Sequence, residues 1–181
     1  MKSWSVSRAL CLLFLVVILL SGCSSINKAR TLYTNGENED ALTMALDYLH
    51  SDQEESIRID AINLVGQIGM ENNGQFREKA GMALMPLLDD QASFVRTSVI
   101  KNLGILEYLP ASQKLIEISL TADEDTLEEI GVTIGGIGPK AIDILIREYL
   151  TEKYPPKQAI YKKVILLTGS DAVKKLEEMS E

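Results

Sequence analysis

A single histidine, His50, and two cysteines, Cys11 and Cys23, leave the chain without the cluster of soft ligands that a zinc or copper site needs. Two cysteines also cannot staple a disulfide scaffold. Basic residues are in deficit: 18 Lys and Arg stand against 26 Asp and Glu, a net charge of −8, which argues against a protein that tracks nucleic-acid phosphates. With only 12 Gly and 5 Pro in 181 residues, and 46% of them hydrophobic, the chain is neither collagen-like nor disordered. Its length allows one domain with a real core. No stretch alternates apolar and polar residues as a half-buried strand would.

The longest apolar run, Ala9 to Leu20, is twelve residues, short of the roughly 20 that a membrane-spanning helix needs. Lys2 and Arg8 precede it, so residues 1–22 have the layout of a secretory signal peptide. Leu20-Ser21-Gly22-Cys23 follows directly. This tetrapeptide resembles the lipobox of bacterial lipoproteins, and the resemblance implies cleavage before Cys23, a thioether-linked diacylglycerol on its sulfur and a further acyl chain such as palmitate on its amine. Two or more chains anchor stably where one is marginal. Ser24 and Ser25 then imply, by the same resemblance, the outer membrane facing the periplasm. Loss of Lys2 and Arg8 leaves 16 basic and 26 acidic residues, a charge of −10. Residues 23–39, with few apolar side chains and a turn-prone Asn35-Gly36, are expected to be a lipidated tether in which Ile26, Leu32 and Tyr33 can pack on the first helix.

From residue 40 to 181 the apolar residues keep a helical period, and four windows align: Ile57 to Gly66, Val95 to Gly104, Leu127 to Gly136 and Ile160 to Gly169. Each opens on an aliphatic residue and closes on Gly nine positions later, with spacings of 38, 32 and 33 between windows. An amphipathic segment precedes each: Ala41 to Leu49, Phe76 to Leu88, Ala111 to Leu120 and Lys140 to Leu150. Pro110 and Pro139 suit first helical turns, and Gly138 suits a helix end. Ser170-Asp171 opens a last helix with Val173, Leu176 and Met179 on one face, as a terminal cap requires. In the first two windows Asp52 and Asp90 stand six residues before Arg58 and Arg96. This aliphatic-Arg-x-x-small-x-x-x-x-Gly pattern resembles the HEAT repeat, in its short bacterial, phycobilisome-lyase-like form. Ala83 to Asp90, with Pro86 inside, is similar to that family's first helix, bent by its proline. The resemblance implies an all-α, right-handed α-solenoid of about four helix–turn–helix repeats plus a C-terminal capping helix. It also implies a structural ladder of ion pairs from Asp52, Arg58, Asp90 and Arg96. Glu128 and Tyr161 replace the Arg in the last two windows, so the ladder is expected across the first two alone.

No catalytic constellation emerges. Asp123-Glu124-Asp125 fails the calcium-loop pattern, because Glu128 and Ile134 stand where Gly and Glu belong, and it reads as a helix N-terminus favoured by the dipole. Gly135-Gly136-Ile137-Gly138 lacks the strand and spacing of a phosphate loop. His50 reads as a half-exposed residue at a helix end, and the carboxylate pairs Glu54-Glu55, Asp89-Asp90 and Glu128-Glu129 point apart on a helix. No cofactor and no metal are expected. What remains is a surface. Advancing 100° per residue, the third and seventh window positions point away from the apolar face, giving Ile59, Thr97, Glu129 and Lys162, then Asn63, Lys101, Thr133 and Leu166. Ile59, Asn63, Thr97, Lys101, Glu129, Thr133 and Lys162 are thus the candidate partner-binding groove. The expectation is a non-enzymatic lipoprotein of the cell envelope that acts as a protein–protein scaffold or adaptor. Alternatives are a lyase-like enzyme or enzyme subunit, or a lipoprotein of envelope integrity.

Overall fold

The computed structural model describes residues 26–50 and 52–180. The expected signal peptide, residues 1–22, and Cys23 lie outside the described residues. Helix α1 spans 26–34, where Ile26 and Ala29 are buried and Leu32 and Tyr33 pack half-buried on the core. Most of the stretch expected as a polar tether is therefore helical. Its four apolar residues recur three or four apart, enough for one sticky stripe along a two-turn helix.

The remaining elements among the described residues are also helical: α2 (Asn38–Leu46), α3 (Glu55–Gly74), α4 (Arg77–Leu84), α5 (Ser93–Ile105), α6 (Ser112–Ser119), α7 (Glu124–Ile137), α8 (Pro139–Thr151), α9 (Pro155–Thr168) and α10 (Ser170–Ser180). Local chemistry places several boundaries. Asp123 caps α7 by accepting the Thr126 backbone amide at 2.9 Å. Gly138, at φ +103°, ends α7 in a conformation open to glycine, and Pro139 starts α8 at once. Pro86 does not bend a continuous helix. It sits in a 3-10 turn, Met85–Asp89, that follows the end of α4 at Leu84. Having no N–H to give, it cannot continue the ladder of α4. α3 breaks near its end, where Asn72 and Asn73 adopt φ of 50° and 59°, and the Tyr33 hydroxyl donates to Glu71 Oε1 at 2.7 Å beside the break.

The four windows fall on α3, α5, α7 and α9, and these pack in chain order: α3 on α5, α5 on α7, α7 on α9. Beside that row, α4 packs on α3 and α5, α6 and α8 pack on each other, and α10 packs on α8 and α9. Glycine lets the row close up. A Cβ on Gly66 would lie 1.9 Å from Asn102 Oδ1, and one on Gly104 would lie 3.2 Å from the Thr133 Cα. The buried residues form one continuous core from Ile26 to Ala172.

Contacts shift the third window by one residue. Ile62, Ile100 and Ile165 are buried at its sixth position, but Val132 is 59% exposed. Thr133, expected to point outward, is 3% exposed, and its Oγ1 donates to the Ile100 carbonyl at 3.2 Å. Gly135, whose Cβ would lie 3.0 Å from the Thr168 carbonyl oxygen, makes the tight approach, whereas Gly136 is exposed. The helix turns 100° per residue, so aligning on the wrong member of a glycine pair rotates every side chain by that angle.

Candidate partner-binding groove

The outer surface of α5 and α7 carries an open groove of roughly 380 Å³, lined by Lys101, Gly104, Ile105, Glu129, Val132, Thr133 and Gly136. Gly104 and Gly136 lack side chains to fill it, and Thr133 lies along its floor. Ile105 (54% exposed) and Val132 form its apolar wall, and Leu166 on α9 is exposed to 58% at the next helix along the row. A charged pair borders it, with Lys101 Nζ 3.2 Å from Glu129 Oε2.

Of the residues expected in a groove, Lys101, Glu129 and Thr133 come together in this one. Ile59, Asn63, Thr97 and Lys162 do not line it. Ile59 is half-buried on the core. Asn63 Oδ1 accepts from Ser98 Oγ at 3.2 Å and from Asn102 Nδ2 at 2.9 Å, which joins α3 to α5. The Thr97 hydroxyl turns back to the Ser93 carbonyl at 3.1 Å, and Lys162 is exposed on α9. Ile105, Val132 and Gly136 escaped the sequence reading. Ile105 lies just beyond its window, and Val132 was assigned inward by the one-residue slip. The adjacent glycines 135 and 136 were the visible sign that two registers competed.

The four ladder residues divide differently. Arg58, nearly buried, sends both terminal nitrogens to the Asp90 carboxylate, Nη1 to Oδ1 at 3.3 Å and Nη2 to Oδ2. That hydrogen bond is the main reason the Asp90 carboxyl sits below the usual aspartate range, against the opposing effect of burial; the Ala92 backbone amide, at 2.9 Å, and the Arg58 and Arg96 charges add to the lowering. Arg96 instead donates to two carbonyl oxygens, Asp90 at 2.7 Å and Gln91 at 3.0 Å. Among the described residues Asp52 makes no ion pair and is exposed. At the position corresponding to the two arginines, the corrected register puts Leu127 in α7, and α9 has Tyr161; both are buried. The Tyr161 hydroxyl is pushed up by burial and by the charges of Glu148, Glu152 and Glu117.

Among the described residues no group of His, Cys, Asp and Glu is placed to hold a metal ion, and no helix is long and apolar enough to cross a membrane. His50 is exposed. The groove presents a short apolar wall, Ile105 and Val132, with one charge of each sign, Lys101 and Glu129, on its rim. No protein-family model matches the chain, and no curated protein matches it.

Proposed function

We propose that this chain is a lipid-anchored envelope lipoprotein whose helices form a HEAT-like α-solenoid, and that it holds another protein in the groove between α5 and α7. The observation that carries the reading is the pair of exposed apolar side chains, Ile105 and Val132, that line an unfilled groove between α5 and α7, with Leu166 also exposed on α9, which packs on α7. Scattered exposed apolar residues are ordinary, whereas exposed apolar side chains gathered on a concavity mark an interaction surface. The solenoid reading draws support from the four windows and from the chain-order packing of α3, α5, α7 and α9. The lipoprotein reading draws support from Leu20-Ser21-Gly22-Cys23 after a short apolar run.

A photo-crosslinking residue at position 132 of the full-length chain, expressed in a bacterial envelope, tests the proposal. It should yield a discrete adduct that disappears when Ile105 is changed to Asp. The same residue at Met82, exposed on α4, should yield none. Identical adducts from positions 132 and 82, or an adduct untouched by Ile105→Asp, would overturn the groove as the binding site.

A further inference from the structure

Helix α1 begins close to the lipid attachment point. Only Ser24 and Ser25 separate Cys23 from Ile26, and Ile26 and Ala29 are already buried in the core. Three backbone steps span at most about 11 Å, so a lipid on Cys23 holds this end of the folded domain within that distance of the acyl chains' glycerol. A stalk this short permits little separation between protein and bilayer, and the first-folded surface must lie near the headgroup region.

The charge of that surface is unusual for this chain. Between Cys23 and Gly36 the charged residues are Lys28 and Arg30, and acids resume only at Glu37. Both basic residues are exposed on α1, alongside Thr31 and Thr34. Arg30 holds Asp60 at 2.9 Å, so Lys28 supplies the greater part of the uncompensated charge. On α2 and at its two ends, Glu37, Glu39, Asp40 and Asp47 carry the opposite sign. An anionic bilayer attracts cations within roughly one Debye length, about 8 to 10 Å, and repels acids over the same range. Stalk length and charge therefore select the same side of the domain.

We propose that the exposed face of α1, carrying Lys28, Arg30, Thr31 and Thr34, is a membrane-apposed surface that rests on anionic phospholipid headgroups. The inference rests on lipidation of Cys23. It deepens the functional reading by saying how the groove is presented. α1 is tied to α3 through Arg30–Asp60 and Tyr33–Glu71, and from α3 the packing runs through α5 and α7 to α9 and then α10, so α10 comes last in the order of packing from α1.

The test uses the full-length protein processed in bacteria and reconstituted into vesicles of phosphatidylethanolamine and phosphatidylglycerol containing a headgroup-labelled quencher lipid. A fluorophore is attached at Thr31→Cys or, separately, at Lys174→Cys on α10; both positions are exposed. The Cys23 sulfur is consumed by the lipid, so each engineered thiol is unique. Quenching at position 31 should exceed that at 174 by about threefold or more, because the proposal puts α1 against the quencher-bearing headgroups and makes no such claim for α10. It should weaken when phosphatidylcholine replaces phosphatidylglycerol. An inserted Gly/Ser linker of about twenty residues between Ser25 and Ile26, reaching roughly 25 Å, should bring position 31 down to the level of 174. Equal quenching at the two positions without the linker would overturn the proposal while leaving lipidation intact. Failure of lipidation is seen separately, as an N-terminal peptide of unmodified mass and a protein that does not float with vesicles; that result overturns both readings.

Discussion

Arg58 on α3 and Asp90, in the turn before α5, form a two-pronged ion pair that is shielded from water on both sides. The other ion pairs also join segments distant in sequence, from Arg30–Asp60 at the first helix to Lys175–Asp143 at the last. Those others are substantially exposed, and exposed pairs contribute about 0 to 1 kcal/mol each. Arg58–Asp90 differs because removing one partner leaves a charge stranded in a poor solvent.

Arg58→Ala is therefore expected to cost about 3 to 5 kcal/mol in urea unfolding at neutral pH. The pH dependence follows from the sign of the Asp90 shift. Its folded pKa is depressed, so its contribution is complete above the ordinary aspartate value of about 3.9 and is lost as pH falls through the lower folded value. The parent should lose stability below about pH 4, and Arg58→Ala should show a shallower decline there. A loss under about 1 kcal/mol would place this pair with the exposed ones.

Two glycines of α7 should respond oppositely to alanine. A Cβ on Gly131 would lie 2.5 Å from Leu167 Cβ and 3.1 Å from its carbonyl carbon, so Gly131→Ala must push α9 away, at about 1 to 3 kcal/mol. At Gly136 the nearest atom would be the Gly104 carbonyl oxygen at 3.4 Å, an ordinary contact. Gly136→Ala should leave stability unchanged or raise it by up to about 1 kcal/mol through helix propensity, while narrowing the groove. Thermal unfolding and the crosslinking yield at position 132 read the two effects independently.

Tyrosine ionisation reports the environment of two helices, α1 and α9, and of the connection after α5. Tyr33 is raised chiefly by its hydrogen bond to Glu71, Tyr108 chiefly by burial with Glu78 adding, and Tyr161 chiefly by burial. Tyrosinate absorbance of the folded protein should show these groups titrating above the ordinary value of about 10. Glu71→Gln should return one of them towards that value. Because the folded values are raised, their contribution to stability is full below about pH 10 and is lost as pH rises through them.

Cys23→Ala should abolish fatty-acid labelling and leave an unprocessed precursor retaining residues 1–22. Radiolabelled palmitate incorporation and the mass of the isolated chain check this together. Undiminished labelling of the variant would remove the lipid anchor from the proposed function.

Features governed by neighbours along the chain were legible before any fold was known. The helical period from residue 40 onward, the Asp123 cap, the break at Gly138-Pro139 and the amphipathic last helix depend on residues within a turn or two of one another. Lys101 and Glu129 could be placed outward for the same reason. Two matters needed the other helices. α1 joins the core because Ile26 and Ala29 find an apolar surface there, which a short, polar-looking segment does not advertise. The register of α7 depends on which of Gly135 and Gly136 meets α9, and that puts Val132 in the groove and Thr133 beneath it.

The opening scarcities, a lone histidine, few cysteines and a deficit of basic residues, determined by themselves that soft-metal chemistry and phosphate tracking had little to work with. Helical periodicity determined the all-α class. Only tertiary structure decided which arginine is paired. Arg58 meets the Asp90 carboxylate, whereas Arg96 meets carbonyl oxygens. The physical reason is range: caps and periodicity act over a turn or two, while ion pairs and grooves arise where helices tens of residues apart come into contact.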